Sequence, residues 1–260
     1  MPGAELNDDQ KILFDVVREA GSLALGLAKK TVRKWQKPDG STVTEADLQI
    51  DALLKHHLRG ARPDYGWLSE ESEDTQDRLA RKRLWIADPI DGTNSFVNGT
   101  DGWCIGVALV EDGAPILAAL FRPVADEFFW AVAGGGAYCN NELLAPRDGS
   151  NLINTELLGT GKAARILAPT GVQGMVAPHI PLLLRLAYIA SGRSDIALSF
   201  GNKNDWDLAA GDLLVREAGA IVTDLEGKPY IYNRPQPWQN GMLAAGRNRH
   251  VAVLKQLEAL

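Results

Sequence analysis

Between Leu84 and Phe96 the chain reads Leu-Trp-Ile-Ala-Asp-Pro-Ile-Asp-Gly-Thr-Asn-Ser-Phe, an apolar strand that runs without a break into two aspartates and a Gly-Thr turn. Carboxylates therefore collect at a strand's end. Pro89 fixes its own φ, and the Ile90 carbonyl can point the same way as the side chains of Asp88 and Asp91. Hard oxygen donors of this kind suit Mg²⁺, which takes a few carboxylates together with waters and phosphate oxygens. If a helical turn begins at Gly92 and Thr93, its backbone N–H groups and dipole face an anion. Asp, Pro and Gly are also the commonest turn formers, so by itself the segment reads equally well as an ordinary turn.

Three further segments shift that balance. Trp67-Leu68-Ser69-Glu70-Glu71-Ser72 repeats the arrangement, a strand ending in paired acids. Adjacent carboxylates repel unless something cationic compensates; Glu70 is assigned to a metal, and Glu71 and Glu73 to a solvent-exposed loop. Asp47 shares a helix stripe with Ile50, Leu54 and Leu58, so a carboxylate faces inward, where it needs a cation or a hydrogen-bonded partner. Thr44-x-x-Asp47 is also a capping box that satisfies the acid locally, and both roles can coexist. Finally, Asn204-Asp-Trp-Asp207-Leu-Ala-Ala-Gly211-Asp212 leads into Leu213 to Gly219, a helix expected from about Asp205 to Ala218. Acids in a first turn complement the helix dipole, which gives Asp205 and Asp207 a structural reading too.

Along the chain, Asn7 with Gln10 reads as a capping box ahead of a helical stripe from Leu13 to Leu27. Pro38, Asp39 and Gly40 break it, and a second helix carries Ile50, Leu53, Leu54, His57 and Leu58 to an end near Gly60. Two helices are thus expected before any strand. Strands follow at Tyr65–Leu68, Arg83–Ala87, Trp103–Val110, Ile116–Phe121 and Glu127–Val132, with Asp112-Gly113 as a hairpin turn that makes part of the sheet antiparallel. The later half is expected to hold a helix at Ile180–Ala187, strand-like runs around Ser191–Asp195, and a hairpin of Ile221–Leu225 with Tyr230–Tyr232 about Glu226-Gly227. No repeat or linker is visible, so the 260 residues are read as one unit, residues 1–148 and 149–260 forming subdomains that meet near Pro146 to Leu152.

A net charge of −6 argues against a nucleic-acid polymer as partner. The basic residues of Arg78 to Arg83 follow Glu70, Glu71, Glu73, Asp74 and Asp77, and that stretch reads as a solvated loop. Cys104 and Cys139 show no metal or redox spacing, which fits reduced thiols in a cytoplasmic protein. The N-terminus lacks the pattern of a leader, and no apolar run reaches the ~20 residues of a membrane span.

Ser69-Glu-Glu-Ser72, Asp88-Pro-Ile-Asp-Gly-Thr93, and Trp206-Asp-Leu-Ala-Ala-Gly211 followed by Glu217-Ala-Gly219, with Thr44-Glu-Ala-Asp47 upstream, together resemble the inositol monophosphatase family over nearly the whole chain. The resemblance implies an α/β fold of the layered αβαβα sandwich type, a homodimer, and lithium-sensitive hydrolysis of a small phosphorylated metabolite with two or three Mg²⁺ ions. It assigns Glu70, Asp88, the Ile90 carbonyl, Asp91 and Asp207 to the metals, and Asp47 to the support of a further one. Gly92 and Thr93 become the phosphate turn, Thr93 with Glu70 orients the attacking water, and Asp91 and Asp207 also meet substrate. No covalent intermediate is implied. The Gly201–Asp205 and Trp35–Ser41 segments are placed at the mouth of the site.

Ser69, Ser95 and Ala220 depart from the family's usual glycine, asparagine and glycine, and remove no ligand. Inositol phosphatases, 3'(2'),5'-bisphosphate nucleotidases, histidinol-phosphate phosphatases and bacterial fructose-bisphosphatases share this core, so the substrate stays open among them. Haloacid-dehalogenase-type phosphatases also place two aspartates after a strand, but one residue apart, whereas Pro89 and Ile90 both separate Asp88 from Asp91. A non-catalytic metal- or phosphate-binding protein is the other reading; the complete set of acids argues against it.

Overall fold

The computed structural model describes residues 2–258 apart from 31, 39, 177 and 178. Met1 and Asp39, on which two of the expectations above fall, lie outside the described residues. The chain opens with α1 (Pro2–Ala28), the short hairpin of β1 (Lys34–Gln36) and β2 (Thr42–Thr44), and α2 (Glu45–Ala61). Next come β3 (Gly66–Ser69), β4 (Arg83–Asp91), the one-turn α3 (Thr93–Val97), β5 (Cys104–Glu111), β6 (Ala114–Arg122), β7 (Glu127–Val132), β8 (Ala137–Cys139) and β9 (Glu142–Leu143). The remainder is β10 (Glu156–Gly159), α4 (Gly161–Leu167), β11 (Gln173–Val176), α5 (Leu182–Ala190), β12 (Ile196–Asn204), α6 (Ala209–Glu217), β13 (Ile221–Thr223), β14 (Trp238–Ala245) and α7 (Arg247–Glu258).

Strand alternation sorts these elements into layers, because successive side chains leave a strand on opposite faces. From β4, Trp85 and Ala87 pack with α1 and α2 through Leu13, Val17, Ile50 and Leu54. Leu84 and Ile86 face the other way, onto Leu183 and Leu186 of α5 and Leu213 and Leu214 of α6. The second sheet covers the far side of those helices with Leu158, Ala197 and Ala244, while its own outer face, Leu157, Ile196 and Leu243, packs on α4 and α7 through Leu167 and Val253. The order is αβαβα, with seven strands (β3-β4-β5-β6-β7-β8-β9) in one sheet and five (β11-β10-β12-β14-β13) in the other. In the middle layer α5 and α6 touch closely. A Cβ added to Gly211 would lie 2.4 Å from Leu186 Cδ1.

Several expectations need correction. The first helix starts at Pro2, so Asn7 and Gln10 lie within it and cap nothing; proline is tolerated in a first turn because that N–H would be unsatisfied anyway. The β1–β2 hairpin precedes α2, which overturns the order of two helices before any strand; strands three residues long, one of them fully exposed, leave no alternation to read. His57 is exposed and lies 3.7 Å from the Glu19 carboxylate, outside the buried stripe. Ser191–Asp195 is a turn ahead of a single long strand, β12, and the parallel β10–β11 pair that precedes α5 was not anticipated. Tyr230–Tyr232 forms no strand; β13 pairs instead with β14, Val222 opposite Ala244.

The 78–83 segment is solvated at Leu79 to Lys82, as expected, but not at its two ends. Arg78 is 2% exposed, and its guanidinium donates to both oxygens of Asp74 and to Asn233 Oδ1 and the Arg234 carbonyl. Arg83 is half-buried, with Nε 2.6 Å from Glu111. The Asp112-Gly113 turn joins antiparallel β5 and β6, Glu111 opposite Ala114, as the hairpin signal required.

Candidate active site

The end of β4 is where the two aspartates become a pair. Asp88 lies opposite Gly106 of β5 and Asp91 opposite Cys104, three residues on one strand against two on the other. Residues three apart on a regular strand face opposite sides; the extra residue of this bulge re-aims the second one, and both carboxylates open into the same cavity. Pro89 suits the bulge because it has no N–H to give to a ladder.

That cavity has a volume of about 600 Å³, and Glu70, Asp88, Ile90, Asp91, Gly92, Thr93 and Asp207 all line it. Asp91 Oδ2 accepts from the Leu183 amide at the start of α5, 2.7 Å away. Asp207, in the 3-10 turn ahead of α6, accepts from the Asn204 amide at 2.8 Å. Each acid is thus pinned through one oxygen by backbone. Asp88 is 1% exposed, and its Oδ1 is buried with no hydrogen-bond partner. Burial, then the charges of Glu70, Asp91 and Asp207, push the Asp88 carboxyl well above its ordinary range. Burial and Asp207 raise Asp91 to about 8, and burial, with Glu70 adding to it, raises Asp207 to about 7. A buried group of carboxylates that raise one another's pKa, one with an orphaned oxygen, is a setting that a hard divalent cation fits. Among the described residues, no three of these side chains already converge as a metal cage; they share a cavity rather than a point.

Asp47 stands behind the wall of this cavity. Its Oδ2 accepts from both the amide and the hydroxyl of Thr44, so the capping box forms as expected, while its Oδ1 faces Thr93 Oγ1 at 3.0 Å. Burial raises the Asp47 carboxyl and the donors of Thr44 and Thr93 oppose that shift. With its hydrogen directed to Asp47, the Thr93 hydroxyl keeps lone pairs for an incoming donor.

The Glu70-Glu71 pair departs from expectation. Glu71 is the more buried of the two, its side chain 4% exposed against 24% for Glu70, and burial raises its carboxyl to about 7. The compensating cation comes from the chain itself. Lys37, in the β1–β2 turn, places Nζ 2.9 Å from Glu70 and 2.8 Å from Glu71. Burial opposes the charge of Lys37, but Glu71 and Glu70 outweigh it and hold its pKa above the ordinary value. The repulsion between adjacent acids called for such a partner; nothing in the sequence said that it would arrive from 33 residues upstream.

Gly92 turns the chain at φ 100° into α3. A Cβ there would lie 2.5 Å from the Gly102 carbonyl oxygen, so the turn admits glycine alone. The first amides of α3 have no intrahelical acceptor and lie on the cavity wall with Asn94, Ser95 and Asn98. Ser69, at the position of a common family glycine, donates to Asp51 at 2.5 Å, and Ser72 donates to the other oxygen of the same acid at 2.6 Å. Gly40, Ser41 and Thr42 line the cavity, in keeping with the placement of the 35–41 segment. Gly201–Asn204 belongs to β12 rather than to a loop, and none of 201–205 lines the cavity. Asp205 is fully buried and serves structure, accepting from Gln239 Nε2 at 2.8 Å. His179 and Pro181 line the cavity without having been singled out in the sequence.

A model of the inositol monophosphatase family matches residues 5–260. The chain belongs to the inositol monophosphatase family. It is 36% identical over 222 residues, 81% of this chain and 79% of the relative, to an inositol-1-monophosphatase of Rhizobium meliloti. It is 33% identical to a Nus factor SuhB of Xylella fastidiosa, covering 95% of this chain and 92% of that one, and 32% identical to a histidinol-phosphatase of Mycobacterium tuberculosis, covering 86% and 87%. Among solved structures, an inositol monophosphatase of Thermotoga maritima superposes with a TM-score of 0.82 at 26% identity, covering 98% of this chain and 97% of that one. As a family member the chain is a metal-dependent phosphoric monoester hydrolase. These relatives carry different substrate names, so membership sets the bond that is cleaved and leaves the alcohol open. Among the described residues no helix is long and apolar enough to cross a membrane.

Proposed function

We propose that this enzyme hydrolyses a small phosphomonoester of the inositol-phosphate type, with Glu70, Asp88, the Ile90 carbonyl, Asp91 and Asp207 holding two or three Mg²⁺ ions. The observation that carries the reading is the orphaned, buried oxygen of Asp88 amid acids that raise one another's pKa beside the Gly92-Thr93 turn. Bound Mg²⁺ would supply charge to offset the acids, polarise the phosphate and make water a better nucleophile. The chain's own residues do the rest. The amides at Gly92 and Thr93 receive the phosphate oxygens, and Asp91 and Asp207 meet the substrate across the cavity. Asp47 draws the Thr93 hydroxyl hydrogen toward itself, which leaves Thr93 Oγ1 to accept from the attacking water while Glu70 fixes its second direction. No side chain is asked to form a covalent phosphoenzyme, and trapping a phosphorylated Asp88 would overturn that assignment.

The rhizobial relative's name supports an inositol monophosphate as substrate; the mycobacterial one supports histidinol phosphate as the second candidate. The same reading carries lithium inhibition, one folding unit, a homodimer and a cytoplasmic location. Phosphate release from inositol 1-phosphate, adenosine 3',5'-bisphosphate, histidinol phosphate and fructose 1,6-bisphosphate, with and without Mg²⁺, tests it. The highest kcat/KM is expected on inositol 1-phosphate. The absence of magnesium-dependent turnover on all four would refute the proposed activity.

A further inference from the structure

We propose that a second pocket, walled by α2, β3 and the 73–81 segment, binds a small tetrahedral oxyanion such as phosphate or sulfate, either free or as the terminal group of a small metabolite. Its volume is about 240 Å³, and among the described residues it shares no lining residue with the active-site cavity. Lys55 and Arg59, one turn apart on α2, face it from one side and Arg81 from another. Arg59 is the deciding residue. Its Nε is buried without a partner, and no hydrogen bond or ion pair joins its side chain to any described residue.

With Nε sealed in the wall, the two terminal amino groups of this guanidinium are the paired donors that an oxyanion in the pocket would meet. Arg78 also lines the pocket, but Asp74, Asn233 and the Arg234 carbonyl already take its donors. Glu73 and Asp77 lie on the rim, both exposed, and neither holds Arg59. Lys55, Arg59 and Arg81 therefore outnumber the two acids, in a chain whose net charge is −6. The aromatic side chains of Tyr65 and Trp67 are buried and narrow the pocket. Its wall is tied to the turn that carries Glu70. Lys55 Nζ donates to Ser72 at 3.3 Å, Trp67 Nε1 at 3.2 Å, and Ser72 in turn holds Asp51.

Equilibrium dialysis of the full chain against labelled sulfate, in EDTA and at constant ionic strength, tests the site. One saturable site per chain is expected, weakened roughly tenfold or more by Arg59→Gln because a charge-assisted bond is lost. A smaller loss is expected in Arg81→Gln, whose exposed side chain can be removed without harm to the fold, and partial recovery in Arg59→Lys. Turnover in Mg²⁺ should be unchanged in all three. Methyl phosphate, run beside inorganic phosphate, tells the two sources apart: binding of the ester admits the terminal group of a metabolite, its rejection restricts the site to the free ion, and either supports the site if Arg59 is required. Absence of a saturable site, or binding that survives Arg59→Gln and Arg81→Gln alike, overturns it. This outcome is independent of the substrate panel.

Discussion

Replacing Gly92 by alanine separates two costs that usually arrive together. At φ 100° an L side chain is strained whatever the space around it, at roughly 1–2 kcal/mol. The new Cβ would also lie 2.5 Å from the Gly102 carbonyl oxygen and 3.2 Å from Trp103 Cα and from Pro181 Cγ, where ordinary contact begins at 3.4 Å. Two of those three atoms are backbone and cannot rotate away, so the turn must move by about 1 Å, with an overpacking cost of roughly 1–3 kcal/mol. Gly99 is the control, because it too has a positive φ, 67°, but nothing lies within 4 Å of its would-be Cβ. At about 2 °C per kcal/mol for a chain of this size, Gly92→Ala should lower Tm by roughly 4–10 °C and Gly99→Ala by roughly 2–4 °C. Activity should divide them further, since a 1 Å displacement of a positioning group costs ~100-fold, whereas Gly99 holds no part of the cradle. Calorimetric Tm and kcat/KM for both variants are the measurements. Equal losses in both quantities would show that the crowding at Gly92 plays no part.

Asp88→Asn and Asp207→Asn should each lower kcat/KM by roughly 10²–10³-fold or more, with Tm in EDTA no lower than that of wild type, because each removes a buried like charge; a variant that keeps its activity would contradict the ligand assignment. Glu70→Gln should reduce kcat more than Glu71→Gln, and the reverse ranking would exchange their roles. His250 is 3% exposed, and burial holds its pKa at about 4 instead of 6.5. Its Nε2 lies 2.9 Å from Thr223 Oγ1, whose hydrogen goes to the Asp224 carbonyl, so the neutral ring donates. On acidification the unfolded chain takes up this proton first; stability is intact above about pH 6.5 and falls as pH drops toward about 4, by up to about 3 kcal/mol. Urea denaturation at pH 7 and pH 4.5 should show that loss in wild type and a shallower one in His250→Gln; equal acid slopes would remove His250 as its source.

The parts of this molecule that could be read in advance are those encoded by neighbours in sequence. The strand at Arg83–Ala87 that runs into two acids, the Thr44–Asp47 box and the Asp112-Gly113 hairpin each need only a few consecutive residues, and each formed. What the local sequence does not encode depends on distant partners. Glu71 looks like a loop acid until Lys37 reaches it, and Arg78 looks solvated until Asn233 and Arg234 close over it. The Tyr230–Tyr232 segment has strand-like composition, yet Tyr230 places its hydroxyl 2.7 Å from the Thr223 carbonyl and 3.0 Å from that of Gly241, tying itself to β13 and β14 through a side chain instead of pairing in a ladder. The facing of Asp88 and Asp91 was legible only as a possibility in Pro89-Ile90, because a bulge is defined against the opposite strand.

The leucine of α5 that rests on Gly211 has a consequence far from its own location. Asp91 is held by the Leu183 amide near the start of α5, and Asp207 sits just ahead of α6, so the gap between two of the cavity's carboxylates is gauged by how closely those helices touch. A methyl group placed at that crossing, 2.4 Å from Leu186 Cδ1, would force the two helices apart and widen that gap without changing a single acid.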